Sequence, residues 1–297
     1  MRALECAPMP LRSPAVILAL LTVYLVWGST YLAIRFALES FPPFFFAGVR
    51  FAIGGLLFYA WLRARGTPAP SARQWGSAAL LGLLLLTVGN GGVVYAQQWV
   101  GSALAATMIA TLPLWAALFA GLWGRWPRGL EWVGLAIGFL GIVLLNLEGD
   151  FVANPLMALV LIVASASWAF GSLYSRRIDI APGAMNAATQ MLTGGIWMLG
   201  ISLVRGEELA VTPSLKAVLA VAYLIVFGSI LAFSAYVWLV ANVKPTVATS
   251  YAYVNPVVAL MLGMAFAGER LGAVGFVAMA MILAGVALLL NVDEKVD

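Results

Sequence analysis

"ATLPLWAAL" (residues 110–118) and "YVNPVVALM" (residues 253–261) each place one proline, Pro113 or Pro256, in the middle of a long apolar run. A proline inside a helix removes one backbone hydrogen bond and clashes with the carbonyl four residues back, so each stretch predicts a kinked helix. A carbonyl freed by a kink is costly in lipid and should face protein or a watery cavity. For a single proline, a role in helix packing alone is the simpler interpretation. Two prolines at equivalent positions favour kinks that line a site or act as hinges.

Further pairs of stretches recur in the same order in the two halves of the chain, which indicates an internal repeat. The pairs are "WGSTYLAIR" (27–35) with "WAFGSLYSR" (168–176), "RFAIGG" (50–55) with "QMLTGG" (190–195), and "LGIVLL" (140–145) with "AGVALL" (284–289). We therefore expect a first repeat at 14–147 and a second at 154–292. A linker at 148–153 would join them, with tails at 1–13 and 293–297.

The composition is that of a membrane protein. Hydrophobic residues make up 63% of the chain and charged residues only 9%, whereas roughly a quarter of the residues in soluble domains are charged. The apolar runs are continuous and about 20 residues long, which fits membrane-spanning helices rather than the alternating strands of a barrel. The predicted spans are 14–37, 43–63, 74–96, 102–123, 130–147, 154–176, 183–204, 214–240, 246–267 and 271–292.

These spans predict an all-α integral membrane protein with about ten transmembrane helices. Each repeat holds five of them, and because five is odd the second repeat enters the membrane upside down relative to the first. Inverted repeats with broken helices are typical of secondary transporters, which bind substrate near the midplane between the halves. We therefore expect two inverted five-helix repeats around a central cavity.

Positive charges are distributed unevenly between the two sets of loops. With both termini in the cytoplasm, eleven lysines and arginines lie inside and four lie outside, as the positive-inside rule requires. The inside set is Arg2, Arg12, Arg63, Arg65, Arg73, Arg125, Arg128, Arg176, Arg177, Lys244 and Lys295; the outside set is Arg35, Arg205, Lys216 and Arg270. The net charge of +4 then reflects topology and predicts no nucleic-acid partner.

The sequence has few of the residue types and motifs that enzymes use for catalysis. It has no histidine and a single cysteine, Cys6, so the commonest metal ligand and proton relay is missing. We find no metal-binding cluster, no nucleophile–base constellation and no phosphate-binding loop motif of the kind that ATP-driven proteins use. The sequence predicts no catalytic residues, no cofactor and no metal.

Several stretches resemble the EamA-type branch of the drug/metabolite transporter superfamily, and the resemblance covers nearly the whole chain. They are "VWGSTYLAIRFAL" (26–38), "AGVRFAIGGLL" (47–57), "LAATMIATLPLWAALFAGLW" (104–123) and the second-half proline followed by "GER" (268–270). The first half departs from the family at "GRWPR" (124–128), which lacks the glutamate usual after helix 4. The resemblance implies a ten-helix exporter of metabolites with a cavity formed mainly by helices 1–4 and 6–9. The aromatic-rich cavity segments look most like the branch's amino-acid exporters, including the aromatic amino-acid type.

Arg50 is the most unusual candidate site residue, because it stays charged inside an apolar helix. It could reach up to the outer interface and anchor helix 2, or bond helix-end carbonyls. It could instead face the cavity and bind a substrate carboxylate. Arginine is usual here across the resembling family, whose substrates vary, and this favours the structural role. Its repeat mate is Gln190, which can bond substrate or helix without charge.

Other polar and aromatic side chains within the spans are also candidates for substrate binding, since small-molecule sites combine apolar walls with a few polar groups. For any single aromatic residue, packing in the core is the alternative. The amides are Asn90 and Asn255, and the aromatic residues are Tyr95, Trp115, Trp168, Tyr251 and Tyr253.

The acidic residues of the spans lie at helix ends, at Glu39, Glu131, Glu148 and Glu269. A proton-coupled exporter of cations ordinarily needs a buried acid, so neutral or zwitterionic substrates are favoured. We expect a secondary transporter of the inner membrane that exports neutral or aromatic amino acids by alternating access, with the amino acid and the lipid bilayer as its partners. A homo-oligomer is possible and not required. The alternatives are a multidrug or nucleotide-sugar-like carrier and, less in keeping with the repeat, a membrane scaffold.

Overall fold

A computed structural model describes residues 10–127, 129–147, 155–209, 211–266 and 273–293. Within these ranges the secondary structure is helical, and strands are absent from them. The helices, in chain order, are α1 (Pro14–Leu38), α2 (Pro43–Ala64), α3 (Ala72–Ala96), α4a (Ser102–Ile109), α4b (Leu112–Leu122), α5 (Gly129–Leu147), α6 (Pro155–Arg177), α7 (Ala184–Val204), α8 (Leu215–Asn242), α9a (Pro245–Thr249), α9b (Tyr251–Phe266) and α10 (Ala273–Asp293).

Six of the described helices, α1, α2, α3, α6, α7 and α8, are long and apolar enough to cross a membrane. The others include shorter apolar helices, among them α4b and parts of α5 and α10. The bounds lie close to the predicted spans, and the prediction of an all-α membrane fold with two repeats is confirmed. The predicted linker 148–153 and the "GER" stretch at 268–270 lie outside the described residues.

Both helices that carry the paired prolines are divided, but not in the same way. In the first half the break lies at Ala110–Thr111, and Pro113 sits in the first turn of α4b, where a missing N–H would have no partner anyway. In the second half the break is at Ser250, and Pro256 lies inside the continuous helix α9b. The chain therefore breaks a few residues ahead of each proline.

The contacts between helices are equivalent when the first and second repeats are interchanged. Helix α2 lies against α7, and α5 against α10. Helix α6 packs on α3 as α1 packs on α8, and α6 contacts α4 as α1 contacts α9. This reciprocity is what two equivalent repeats related by a pseudo-two-fold axis produce.

The loops gather at two opposite ends of the bundle. At one end, the Glu39 face, Lys216 Nζ lies 2.7 Å from Glu39 Oε1, and Glu207 accepts hydrogen bonds from the backbone N–H groups that begin α2. At the other end, the Arg176 face, Arg176 donates to the Val243 carbonyl and Gln74 donates to Asp179.

In the described part of the chain, three stretches of wide π-helix lie inside the long helices. They are Val23–Trp27 in α1, Gly82–Asn90 in α3 and Leu224–Leu231 in α8. The stretches of α3 and α8 occupy matching points of the two repeats. A π-helical turn displaces side chains relative to an α-helix and is frequent at functional sites. The stretch in α8 carries Gly228 and Ser229, which hold Arg50.

Candidate functional site

A cavity lies inside the bundle, between its middle and the Glu39 face. Its lining residues come from α1, α2, α3, α4, α6 and α9, whereas the resemblance implied α7 and α8 as well. They are Trp27, Thr30, Tyr31, Ile34, Arg50, Gly89, Asn90, Val93, Ile109, Leu112, Ala164, Ser165, Trp168, Tyr251 and Asn255. The cavity leaves about 50 Å³ for the centres of water-sized molecules, room for a few waters. An aromatic amino acid needs more space than this, so the walls must move apart to admit one.

Arg50 faces this cavity from α2 and is 1% exposed. Its Nε donates a hydrogen bond of 2.7 Å to Ser229 Oγ, and its guanidinium carbon lies 4.5 Å from the centre of the Phe51 ring. Its Nη1 is buried without a hydrogen-bond partner among the described residues. Among those residues Arg50 is also the one charged side chain that is buried. It does not extend to the outer interface, so the interfacial-anchor interpretation is not what the structure has.

The space for the guanidinium depends on α8. A Cβ at Gly228 would lie 2.9 Å from Arg50 Nη2 and 3.1 Å from Thr30 Cγ2, so a side chain there would force these two side chains to shift. The Gly228 carbonyl accepts a hydrogen bond of 3.0 Å from Trp27 Nε1. The wide turn of α8 thus fixes one cavity aromatic and the arginine together.

Two amides add hydrogen-bond acceptors to the cavity. Asn90 Oδ1 and Asn255 Oδ1 are both buried without a hydrogen-bond partner in the described part of the chain. The side chain of Asn255 lies beside the Tyr31 hydroxyl. Buried polar atoms are nearly always paired, and each exception calls for an explanation such as a water or a ligand. Here the exceptions include one cationic donor and two neutral acceptors around one cavity.

Aromatic rings close the cavity towards the Arg176 face. Trp27 lies with its ring centre 5.5 Å from that of its repeat mate Trp168, edge to face, and 4.8 Å from that of Tyr251. Tyr236 contacts Trp27, Trp168 and Tyr251 from the side of the Arg176 face, at ring-centre distances of 5.1, 5.5 and 5.4 Å. Its hydroxyl lies 2.6 Å from Ser172 Oγ, which ties α8 to α6.

The same end of the cavity is tied a second time between α1 and the break in α9. Tyr24 of α1 lies with its hydroxyl 2.6 Å from Ser250 Oγ, at the junction of α9a and α9b. Side-chain contacts thus bridge α8 to α6 and α1 to α9 on the Arg176 side of the cavity.

Four of the predicted site residues lie elsewhere. Tyr95 packs near the Glu39 face between Phe44 and Trp99, and Trp115 stacks on Phe119. Gln190 donates to Asn186 Oδ1 at 2.7 Å within α7.

Tyr253 is fully buried and donates a hydrogen bond of 3.2 Å to the Leu135 carbonyl of α5. Of the predicted residues, the structure brings together Arg50, Asn90, Trp168, Tyr251 and Asn255 around the cavity.

The sequence prediction omitted several polar and aromatic lining residues. Trp27, Thr30 and Tyr31 line the cavity from α1, and their three- and four-residue spacing, continued by Ile34, marks one face of a helix. Ser165 lies at the break in α4, with its Oγ 3.4 Å from the Ile109 carbonyl and 3.2 Å from Thr111 Oγ1. Because Pro113 has no N–H, the Ile109 carbonyl lacks its helical hydrogen-bond donor. Ser165 of α6 donates to this carbonyl instead. No sequence signal pointed to Ser165.

Comparison with known proteins identifies the family. The model of the EamA-like transporter family matches residues 14–147 and again residues 155–291. The chain belongs to the EamA-like transporter family. It is therefore a multi-pass membrane transporter and not an enzyme.

Relatives within the EamA-like family extend over most of the chain. The uncharacterized inner membrane transporter YedA of Escherichia coli (strain K12) is 48% identical over 271 residues, which cover 91% of this chain and 89% of that protein. The uncharacterized transporter sll0355 of Synechocystis sp. is 27% identical over 297 residues, covering 92% and 88%. A crystal structure with 24% sequence identity superposes with a TM-score of 0.77 over 94% of this chain and 98% of that one, which supports the fold.

Proposed function

We propose that the protein is a secondary transporter that exports neutral amino acids, aromatic ones in particular, across the inner membrane by alternating access. The observation that carries the proposal is the set of unpaired polar atoms around one cavity. Arg50 Nη1 is a cationic donor without a partner in the described structure, and Asn90 Oδ1 and Asn255 Oδ1 are acceptors without one. A zwitterionic amino acid supplies the complementary groups, a carboxylate for the arginine and an ammonium for the amides.

The walls favour an apolar or aromatic side chain on the substrate. Trp27, Tyr31, Trp168 and Tyr251 surround the polar atoms, and aromatic pairs gain from edge-to-face and offset contacts. The remaining space is small, so binding of such a substrate must accompany opening of the bundle, as alternating access requires.

An organic cation fits this cavity less well. A cation in a low-dielectric site needs an opposite charge nearby, whereas the buried charge in the described structure is the cation Arg50. A nucleotide sugar carries several negative charges and would meet one arginine. The comparison with YedA, named an inner membrane transporter, and the excess of positive charge on the Arg176 face support an inner-membrane location with both termini in the cytoplasm.

The test is substrate counterflow in proteoliposomes loaded with unlabelled phenylalanine, with labelled phenylalanine outside. The competitors are phenethylamine, which lacks the carboxylate, and 3-phenylpropionate, which lacks the ammonium. We expect unlabelled phenylalanine to compete strongly and both analogues weakly. Arg50→Gln should lower counterflow and remove the discrimination against phenethylamine. Arg35→Gln, which changes an exposed arginine of α1, is the matched control and should leave both unchanged.

Two results would count against the proposal. The proposed substrate class would be overturned if neither phenylalanine nor a panel of other neutral amino acids gave counterflow. The protein in these liposomes must still be folded, as shown by an unchanged thermal unfolding temperature. Equal competition by phenylalanine and phenethylamine would show that the carboxylate is not read and would return Arg50 to a structural role.

A further inference from the structure

An apolar groove runs along the outside of the bundle between α1 and α8, near the Glu39 face. Its walls are Leu32, Ala33 and Phe36 of α1 and Leu215, Leu219 and Ala220 of α8, and it is broadly open to the outside. Leu215 is 73% exposed and Leu219 is 59% exposed. Because both helices are long enough to span a membrane, this groove opens sideways towards lipid.

The groove is distinct from the substrate cavity, although both use α1. The cavity takes Trp27, Thr30 and Tyr31 from one side of the helix, and the groove takes Leu32, Ala33 and Phe36 from the other. At its deep end Ser29 Oγ and the Tyr223 hydroxyl lie 2.6 Å apart, and Ser29 also donates to the Val26 carbonyl. The polar groups of the floor thus satisfy one another and leave an apolar trough.

One charge of each sign lies at the mouth of the groove, because Lys216 lines it and Glu39 pairs with Lys216 from just outside the lining. Lys216 Nζ lies 2.7 Å from Glu39 Oε1 and 3.8 Å from the centre of the Phe36 ring. Both charged side chains are about half exposed, at 50% and 47%. They lie where α1 ends and α8 begins, which is the level at which lipid headgroups meet a spanning helix. The cation–π contact holds the ammonium over the groove wall.

We propose that this groove binds a phospholipid with a primary ammonium in its headgroup, phosphatidylethanolamine. One acyl chain lies in the apolar trough, where the surrounding medium is hydrocarbon. The headgroup phosphate accepts a hydrogen bond from Lys216, and the headgroup ammonium donates one to Glu39. Phosphatidylcholine has no N–H to donate to Glu39, and phosphatidylglycerol has no cation to place beside it.

The experiment measures which lipid stays bound to the purified full-length protein. The protein is reconstituted with equal amounts of phosphatidylethanolamine, phosphatidylcholine and phosphatidylglycerol of identical acyl chains, extracted in mild detergent, and analysed by native mass spectrometry. We expect phosphatidylethanolamine to be retained over each of the others by about threefold to tenfold, as one partly exposed charge-assisted hydrogen bond would give. Glu39→Gln should remove the preference over phosphatidylcholine. Lys216→Gln should lower retention of all three lipids.

The control is Glu208→Gln, which changes an exposed acid of the same face, whereas Glu39 is the acid that pairs with the lining residue Lys216, and the control should behave like the wild type. Equal retention of the three lipids by the wild-type protein would overturn the proposal, and so would an ethanolamine preference that survives Glu39→Gln. Neither result would affect the amino-acid proposal, because counterflow can be measured in liposomes of any of these lipids.

Discussion

Gly55 and Gly195 make the same contact in opposite directions. A Cβ added at Gly55 would lie 2.4 Å from the backbone nitrogen of Leu192, and a Cβ added at Gly195 would lie 2.4 Å from the backbone nitrogen of Ala52. In the repeat, Gly55 corresponds to Gly195 and Ala52 to Leu192. The crossing of α2 and α7 is therefore equivalent from either side, and each helix approaches the other through a glycine that has no room for a side chain.

Substitution at either glycine should destabilise the bundle by a similar amount. We expect Gly55→Leu and Gly195→Leu each to lower the free energy of unfolding by about 1–3 kcal/mol or more, because the backbones must separate to admit a side chain. Thermal unfolding in detergent measures the effect. Gly200→Leu is the matched control in α7, since no atom lies within 4 Å of a Cβ built there. An equal loss of stability in the Gly200 variant would contradict the argument.

Removal of the Ser229 hydroxyl should impair the protein more than removal of the Ser234 hydroxyl of the same helix. Ser229→Ala leaves Arg50 Nε without its 2.7 Å hydrogen bond, and an unsatisfied buried donor costs about 1–3 kcal/mol, more when it is charged. Ser234→Ala removes another hydroxyl of α8 whose oxygen is buried without a hydrogen-bond partner in the described structure. We expect a clearly lower unfolding temperature and weaker counterflow for the Ser229 variant alone. Similar behaviour of the two variants would show that Ser229 does not hold Arg50.

We expect lysine to be unable to take over the function of Arg50 in transport. A guanidinium can donate to Ser229 through Nε while Nη1 still faces the cavity, whereas an ammonium is a single point of charge on a flexible stem. We expect Arg50→Lys to fold and to lose most phenylalanine counterflow in the liposome assay, because a buried lysine also gives up its proton far more readily than an arginine. Wild-type counterflow in this variant would mean that the guanidinium is not required.

The cavity amide Asn90 should serve transport at the expense of stability. Its Oδ1 is buried without a partner in the described structure, so Asn90→Leu should keep or raise the unfolding temperature while it lowers counterflow. Thr87→Val in the same π-helical stretch is the contrast. The Thr87 hydroxyl lies 3.3 Å from the Gly82 carbonyl and 3.4 Å from the Gly194 carbonyl, so its removal should lower stability.

Single cysteines can determine which face is cytoplasmic. In a Cys6→Ser background, we expect Glu208→Cys on the Glu39 face to react with a membrane-impermeant thiol reagent in intact cells. Ala69→Cys, in the loop after α2 at the other end, should react only after the membrane is permeabilised. Both positions are exposed in the structure, so a difference in labelling reports the side of the membrane. The opposite pattern would reverse the proposed orientation of the two faces.

The sequence predicted the helices well because their signal is local. Long apolar runs bounded by proline, glycine and charge define a spanning helix without reference to any partner. The matched motifs also predicted the repeat, and Gly55 and Gly195 lie in the paired stretches "RFAIGG" and "QMLTGG".

The cavity was only half predictable, because a lining residue is decided by how helices rotate against one another. Tyr251 and Tyr253 lie two residues apart on α9b, and only the first reaches the cavity while the second packs against α5. Gln190, the mate of Arg50, bonds within its own helix instead. The π-helical turns, which place Gly228 and Ser229 beside Arg50, left no recognisable pattern in the sequence.

The contact between Trp27 and Trp168 has a geometric consequence. Their ring planes are 86° apart, so one ring presents an edge and the other a face, although the two residues occupy the same place in their repeats. The two residues also differ in their hydrogen bonds, because Trp27 Nε1 donates to the Gly228 carbonyl whereas Trp168 Nε1 is buried without a hydrogen-bond partner in the described structure. Under the proposed alternating access, we expect the two indoles to exchange these surroundings when the bundle opens to the opposite side of the membrane.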